Sequence, residues 1–260
     1  MRKAFLRIGI YFCSVFFLIL LIQLCSMGVN NSIILPSVFD IFKSLFKIIS
    51  TPKTYLYIGN TLKNLIISLS FSFLIGMLLG ILAGLFPYVR LFLKPWITIL
   101  RSIPLASSLV IIMILAGLAH TPYYVAGIML IPIIYEGFCQ GISGLDSAWM
   151  DVWRLNSNLS LKVLIRVHLP LIAPAVRTAF VSSVGMGIKV IIMAEYLAGI
   201  KNTLGSAILP AANMLDYSSV YAYSILMVLL VLCLEVLPKL FAGGIRYFHF
   251  YFHQDLKKKE

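Results

Sequence analysis

Residues 60–86 read NTLKNLIISLSFSFLIGMLLGILAGLF, a long and predominantly apolar run. A helix that crosses a bilayer needs about 20 predominantly apolar residues at a rise of about 1.5 Å each, so the stretch is long enough to do so. Gly76, Gly80 and Gly84 recur at every fourth position. This spacing puts three small residues near one helix face, where a second helix can approach closely. The stretch therefore predicts a membrane span that packs tightly against a neighbour.

The rest of the chain has the same apolar character. Hydrophobic residues make up 61% of the sequence and charged residues only 12%, with a mean hydropathy of +1.00. The surface of a soluble domain would need about a quarter charged residues. The ten-residue alternating segments of a membrane β-barrel are absent from the sequence. The composition predicts an all-α polytopic membrane protein.

Apolar runs divide the chain into about six predicted spans within one transmembrane domain over residues 1–260. The first run is longer than the apolar core of a signal peptide and no small-residue cleavage site follows it, so we interpret it as a retained span. Residues 87–95 are interpreted as a short loop, and residues 142–170 form the longest stretch without a 20-residue apolar core. The predicted spans are 6–26, 60–86, 97–118, 123–141, 171–199 and 219–243.

The distribution of Lys and Arg predicts the orientation. Basic residues concentrate on the cytoplasmic side of membrane proteins. With a cytoplasmic N-terminus, thirteen basic residues near the membrane fall on the cytoplasmic side and four on the other. The sequence therefore predicts that both termini and the 142–170 loop are cytoplasmic.

Several other classes of function are disfavoured. The net charge of +12 follows from this loop pattern, and no basic patch with interleaved aromatics is long enough for nucleic acid. The four cysteines have neither CxxC spacing nor histidine partners, so neither disulfides nor a metal site is predicted. No GxxxxGK[ST] phosphate loop is present, so we expect no ATP hydrolysis by this chain.

The 142–170 loop has the pattern of a short helix, a turn and a second short helix. Residues 156–158 are Asn-Ser-Asn, which are turn formers. Ser160 is suited to cap a helix that begins at Leu161, and Pro170 marks the change to the next span. Two short helices at the cytoplasmic face have the shape of a docking element.

This loop resembles one found in permeases of ATP-binding-cassette (ABC) importers of the binding-protein-dependent type. That family carries E-A-A, three residues, Gly, nine residues, then I-x-L-P. The spacing is matched throughout, although Trp153 and Ser157 depart from the Ala and Gly of the pattern. The residues at the pattern positions are Asp151, Val152, Trp153, Ser157, Val167, Leu169 and Pro170.

Flanking motifs extend the resemblance from about residue 33 to residue 243. They are similar to the nitrate/sulfonate/taurine-type branch of the family. The matching stretches are Leu35-Pro36-Ser37, Gly76 with Gly80, Arg101 to Pro104, Ala194-Glu195-Tyr196 and Leu204-Gly205.

The resemblance implies a permease subunit in a bacterial inner membrane whose 142–170 loop is the coupling helix docked on an ATPase subunit. It implies further partners: a second permease subunit, with a homodimer expected, and an extracytoplasmic solute-binding protein. ATP and magnesium would be bound by the ATPase, and no cofactor is expected in this chain. The solute is either an anion such as a sulfonate or nitrate, or a vitamin precursor.

Three charged residues inside the predicted spans are candidates for the translocation pathway. Charge is costly at that depth and is usually paired or faces water. Lys189 could attract an anionic solute or pair with a carboxylate of a neighbouring helix. Glu195 could line or gate the pathway or hold a structural hydrogen bond, and Glu136 lies near the cytoplasmic end of the fourth span.

Two alternatives remain open from the sequence. One is a self-contained secondary transporter that couples ions through intramembrane carboxylates, although the inverted repeats common in such carriers are not evident. The other is a membrane scaffold without transport.

Overall fold

The computed structural model describes residues 2–29, 35–145 and 169–234, and all regular structure in these ranges is helical. We number the helices within the described ranges in chain order. A short 3₁₀ turn over Leu118–His120 precedes α6. The helices are α1 (Arg2–Val29), α2 (Val38–Ser50), α3 (Pro52–Leu85), α4 (Pro87–Ser102), α5 (Leu105–Ala116), α6 (Thr121–Ser143), α7 (Leu169–Ala198), α8 (Leu204–Asn213) and α9 (Tyr217–Leu234).

The glycine ladder of α3 packs directly on α6. A Cβ atom on Gly80 would lie 2.6 Å from the carbonyl oxygen of Tyr135, and one on Gly76 would lie 2.8 Å from the Cβ of Ile134. Gly84 meets Ile142 in the same way, at 2.7 Å. Residue numbers rise together along both helices, so α3 and α6 are parallel. The sequence-based expectation of a closely approaching neighbour is met by α6.

Helix α7 completes the core and runs antiparallel to α6. Its first turns meet the end of α6, where a Cβ on Gly141 would lie 3.0 Å from Ile172, and later Gly187 lies against Leu130. Fully buried side chains fill the space between the three helices, among them Leu130, Ile134, Phe138, Ile188 and Ile191. We call the end that contains Ser143 and Leu169 the loop end, because the 142–170 loop leaves the core there.

The predicted third span is wrong in its shape. The sequence predicted a loop at 87–95 and one continuous helix over 97–118, whereas the structure has α4 and α5 bent by 97°. Pro104 has no N–H to continue the helix and forces the residue before it out of the α region. Ile103 accordingly has φ −67° and ψ 122°. Pro87 is compatible with helix because it occupies the first position of α4.

Four helical segments in the described ranges are long and apolar enough to cross a membrane, or five if the bent α4–α5 pair is one span. The four are Pro52–Leu85, Leu118–Ser143, Leu169–Ala198 and Tyr217–Leu234. The predicted all-α polytopic class is confirmed. The predicted first span lies within α1, but the count of six and the single domain over 1–260 stay predictions.

Candidate functional site

A buried carboxyl group ties four helices together at the end of the core opposite the loop end. Glu195, near the end of α7, is 0% exposed. Its Oε2 accepts a hydrogen bond from the Thr61 hydroxyl at 2.8 Å, and its Oε1 accepts one from the Asn64 side-chain amide at 2.8 Å. The backbone N–H of Gly205 also donates to Oε2, at 3.4 Å. We call Glu195 with Thr61, Asn64 and Gly205 the carboxyl hub.

A second layer of hydrogen bonds extends the carboxyl hub to α6 and α8. The Tyr123 hydroxyl donates to Oδ1 of Asn64 at 2.8 Å, and the N–H of Leu204 donates to the Thr61 hydroxyl at 3.0 Å. Both side chains from α3 thus donate to Glu195 while accepting from another helix. The hub therefore fixes α3, α6, α7 and α8 relative to one another.

Local sequence brings Gly205 to the hub. The turn after α7 contains Gly199 and Asn202, both with positive φ, of 62° and 61°, a conformation that Gly and Asn adopt most readily. Thr203 then caps α8 through its hydroxyl. A Cβ on Gly205 would lie 2.7 Å from the Cβ of Glu195, so glycine is what allows α8 to approach α7 so closely.

Lys189 lies on a different face of α7 from Glu195. It belongs to a narrow exposed stripe on the second half of this helix, which we call the lysine stripe. Its members are Ser182, Met186, Lys189, Met193 and Leu197. Lys189 borders a cavity of about 670 Å³ whose other lining residues are apolar or aromatic, including Tyr196 and Met227. No described carboxylate lies within ion-pair distance of Lys189.

Glu136 lies on α6 near the loop end and is ion-paired with Arg101 from α4. The side-chain amide of Gln140 is 3.5 Å from its second oxygen. The three sequence-predicted pathway residues are therefore not brought together. Glu195 is enclosed at one end, Glu136 is paired near the other, and Lys189 is exposed between them.

Two residues of the predicted coupling loop are described. Leu169 and Pro170 open α7, where Leu169 packs against the core and Pro170 is exposed. The other five candidates, Asp151, Val152, Trp153, Ser157 and Val167, lie outside the described residues.

Sequence reasoning missed the hub partners Thr61, Asn64 and Tyr123. A signal was present, because Thr61 and Asn64 are three apart within an otherwise apolar span and so share a helix face. Within the described ranges, no group of three His, Cys, Asp or Glu side chains could hold a metal ion.

Comparison with known proteins gives a family and a fold. Residues 76–247 match the family described as "Binding-protein-dependent transport system inner membrane component". Among solved structures, the chain is similar to the MetNI methionine ABC transporter in an inward-facing conformation. The TM-score is 0.61 at 17% sequence identity, over 75% of this chain and 99% of that one. No curated protein sequence matches the chain. Because the family match extends over more than half of the sequence, the protein belongs to the family of inner membrane components of binding-protein-dependent transport systems.

Proposed function

We propose that this chain is the transmembrane permease subunit of an ATP-driven ABC importer and forms half of the pathway for a small solute. The family match carries the proposal. The expected partners are ABC ATPase subunits, an extracytoplasmic solute-binding protein and a second permease copy. The ATPases would bind ATP and magnesium. With the orientation predicted from basic residues, both termini and the loop end face the cytoplasm.

The lysine stripe is the best candidate for the pathway surface. A lysine within a span is costly unless it meets water or a counter-charge, and Lys189 has no described carboxylate partner. In a homodimer with two-fold symmetry, the same surface patch occurs on both subunits. Two lysine stripes facing each other would place two cations along one pathway, which favours an anionic solute.

This charge pattern supports the nitrate/sulfonate/taurine-type branch and a sulfonate or nitrate as solute. A vitamin precursor is the alternative solute. For such a solute the pathway would have to be permeable to a neutral molecule. The apolar lining around Lys189, including Met193, Tyr196 and Met227, can accommodate an apolar body beside the anionic group.

Helix α7 is suited to transmit force from the ATPase. It is a continuous helix from Leu169 to Ala198, so Lys189 lies about 30 Å along the axis from the first residue. The 142–170 loop joins its loop end, and the carboxyl hub joins its other end to three more helices. Motion of the loop would therefore move the lysine stripe and the hub as one body.

Substitutions of Lys189 test the pathway assignment. We expect Lys189→Met to reduce ATP-dependent uptake of the anionic solute by at least tenfold, while Lys189→Arg retains most of it. Co-purification with the ATPase subunits stays unchanged in both. Lys201→Met, outside the spans, is the matched control. Full uptake by Lys189→Met would overturn the anion pathway.

A second substitution tests coupling. Asp151→Lys should abolish ATPase association and ATP-dependent uptake, because it reverses the charge at the acidic position of the loop. Intact association in this variant would contradict the coupling assignment.

The alternative of a secondary transporter is less well supported. Glu195 has donors on both oxygens and Glu136 is ion-paired, so neither is poised to exchange an ion as such carriers require. Proteoliposomes containing this chain without ATPase subunits should show no gradient-driven uptake. Concentrative uptake in that preparation would favour the carrier.

A further inference from the structure

Helix α4 has three chemically distinct faces. At about 100° per residue, Arg90, Lys94 and Thr98 share one face within about 80° of arc. A second face packs on the core through Leu93 and Ile97. The third is exposed, apolar and aromatic: Tyr88 is 86% exposed, Leu91 67%, Phe92 68%, Trp96 59% and Ile99 55%. A helix with aromatic and aliphatic residues on one face and basic residues on another is typical of a membrane interface.

The packing of α4 places it across the core rather than along it. Helix α4 advances about 17 Å along its axis from Arg90 to Arg101. The residues of α6 that face this length of α4 extend only from Tyr135 to Gln140, which is about 8 Å along the axis of α6. The two helices therefore cross and do not run side by side. The 97° bend before α5 agrees with this crossing. The crossing lies within two turns of Ser143, at the loop end. Since α6 has the length and hydropathy of a span, α4 lies near one membrane surface.

A cavity of about 540 Å³ separates the basic face of α4 from α6. Arg90, Lys94 and Thr98 line one side of it, and the other side includes Glu136 and Gln140. Glu136 is neutralised by its ion pair with Arg101. Arg90 and Lys94 make no ion pair with a described residue, so the cavity keeps two uncompensated cations.

We infer that this cavity binds the phosphate of an anionic phospholipid, with the acyl chains of the lipid lying on the exposed apolar face of α4. Basic pockets between membrane helices bind phosphate-bearing headgroups, and Arg and Lys donors with the Thr98 hydroxyl suit phosphate oxygens. The adjoining Leu91, Phe92 and Trp96 give the ligand an apolar half as well. The matching ligand is therefore amphipathic, and α4 is the element that holds it.

Trp96 provides a local reporter of this lipid. The chain has three tryptophans, and Trp149→Phe with Trp153→Phe leaves Trp96 as the only one. The full-length variant is placed in phosphatidylcholine vesicles containing phosphatidylglycerol, with bromine on the acyl chains of one lipid at a time. Quenching of Trp96 then gives the relative affinity of the two lipids at this face.

We expect phosphatidylglycerol to be preferred over phosphatidylcholine at this face. The ratio of the two affinities should fall by about fivefold for each cation removed, because a basic residue near an anionic membrane surface contributes about 1 kcal/mol. Arg90→Gln with Lys94→Gln should therefore abolish most of the preference. Arg90→Lys with Lys94→Arg should retain it. Lys43→Gln with Lys47→Gln is the matched control, because these exposed lysines are also four apart on an amphipathic helix.

Several outcomes would overturn the inference. Equal quenching by the two lipids, or a preference that survives removal of both cations, excludes a headgroup site at Arg90 and Lys94. Loss of the preference on addition of millimolar inorganic phosphate would mean that the cavity takes free phosphate instead. Loss of all quenching when the ATPase subunits are bound would assign this face to a protein partner.

Discussion

Replacing Glu195 by alanine should destabilise the protein more than any other single change at the carboxyl hub. The substitution removes the acceptor for the Thr61 hydroxyl, the Asn64 amide and the Gly205 N–H, in a site where Glu195 is 0% exposed. Water cannot replace these partners without opening the packing. The two bonds at 2.8 Å are the strong ones, and the Gly205 contact at 3.4 Å adds little.

The expected loss follows from the number of stranded donors. A buried donor left without a partner costs about 1–3 kcal/mol, so two of them cost about 2–6 kcal/mol, a large fraction of the 5–15 kcal/mol typical of folded proteins. Glu195→Gln should cost about 1 kcal/mol or less. Its oxygen can still accept from Thr61 and Gly205, and Asn64 can turn its amide so that its oxygen accepts from the new NH₂ group. Tyr123 can then accept from Asn64 instead of donating.

Two quantities are measured. The free energy of unfolding is obtained in mixed detergent micelles with intrinsic fluorescence as the signal, and ATP-dependent uptake is measured separately. Thr61→Val alone and with Glu195→Ala completes a double-mutant cycle, in which we expect coupling because the pair is in direct contact. If Glu195→Ala has normal stability but has lost uptake, the structural role of Glu195 is refuted. That result would favour a role for Glu195 in the translocation pathway.

Three smaller changes probe the same core by the same unfolding measurement. Gly80→Ala should lower the free energy of unfolding by about 1–3 kcal/mol, because its Cβ would lie 2.6 Å from the backbone of α6. Gly59→Ala is the control, since the space around Gly59 is open, and it should be neutral or slightly stabilising. Equal effects of the two substitutions would contradict the close α3–α6 packing. Tyr123→Phe should cost about 1 kcal/mol through the lost donor to Asn64, and no change would mean that this bond does not support the hub. Ser72→Ala should leave the free energy of unfolding equal or raise it, because the buried Ser72 hydroxyl has no partner among the described residues; a marked loss would reveal a hydrogen bond to it.

The features predictable from the sequence were those encoded in local pattern. Apolar length predicted the four spans that contain α3, α6, α7 and α9, and the spacing of Gly76, Gly80 and Gly84 predicted a close helix contact. Both depend only on residues near each other in the chain. The identity of the neighbour did not follow. The ladder meets α6 and not α4, which follows α3 directly in the chain, and this contact joins residues more than 50 positions apart.

The carboxyl hub shows a different limit. Glu195 was singled out because a carboxylate in a span is conspicuous, but its partners Thr61 and Asn64 lie more than 130 residues away. Threonine and asparagine are tolerated in many spans, so their residue types alone do not indicate a buried network. Only the pairing of α3 with α7 makes the three side chains one site.

In the proposed permease, the arrangement of the hub would let one helix serve both stability and transport. Glu195 and Lys189 are six residues apart on α7, so they point to different faces of the helix. The face that carries Glu195 is held by hydrogen bonds to α3 and α8, whereas the face that carries Lys189 meets no described carboxylate. A rigid attachment on one side therefore leaves the other side free to meet solute or a second subunit. If the ATPase moves α7 from its loop end, the hub obliges α3, α6 and α8 to move with it, so the lysine stripe shifts as part of a four-helix body and not as a single bending helix.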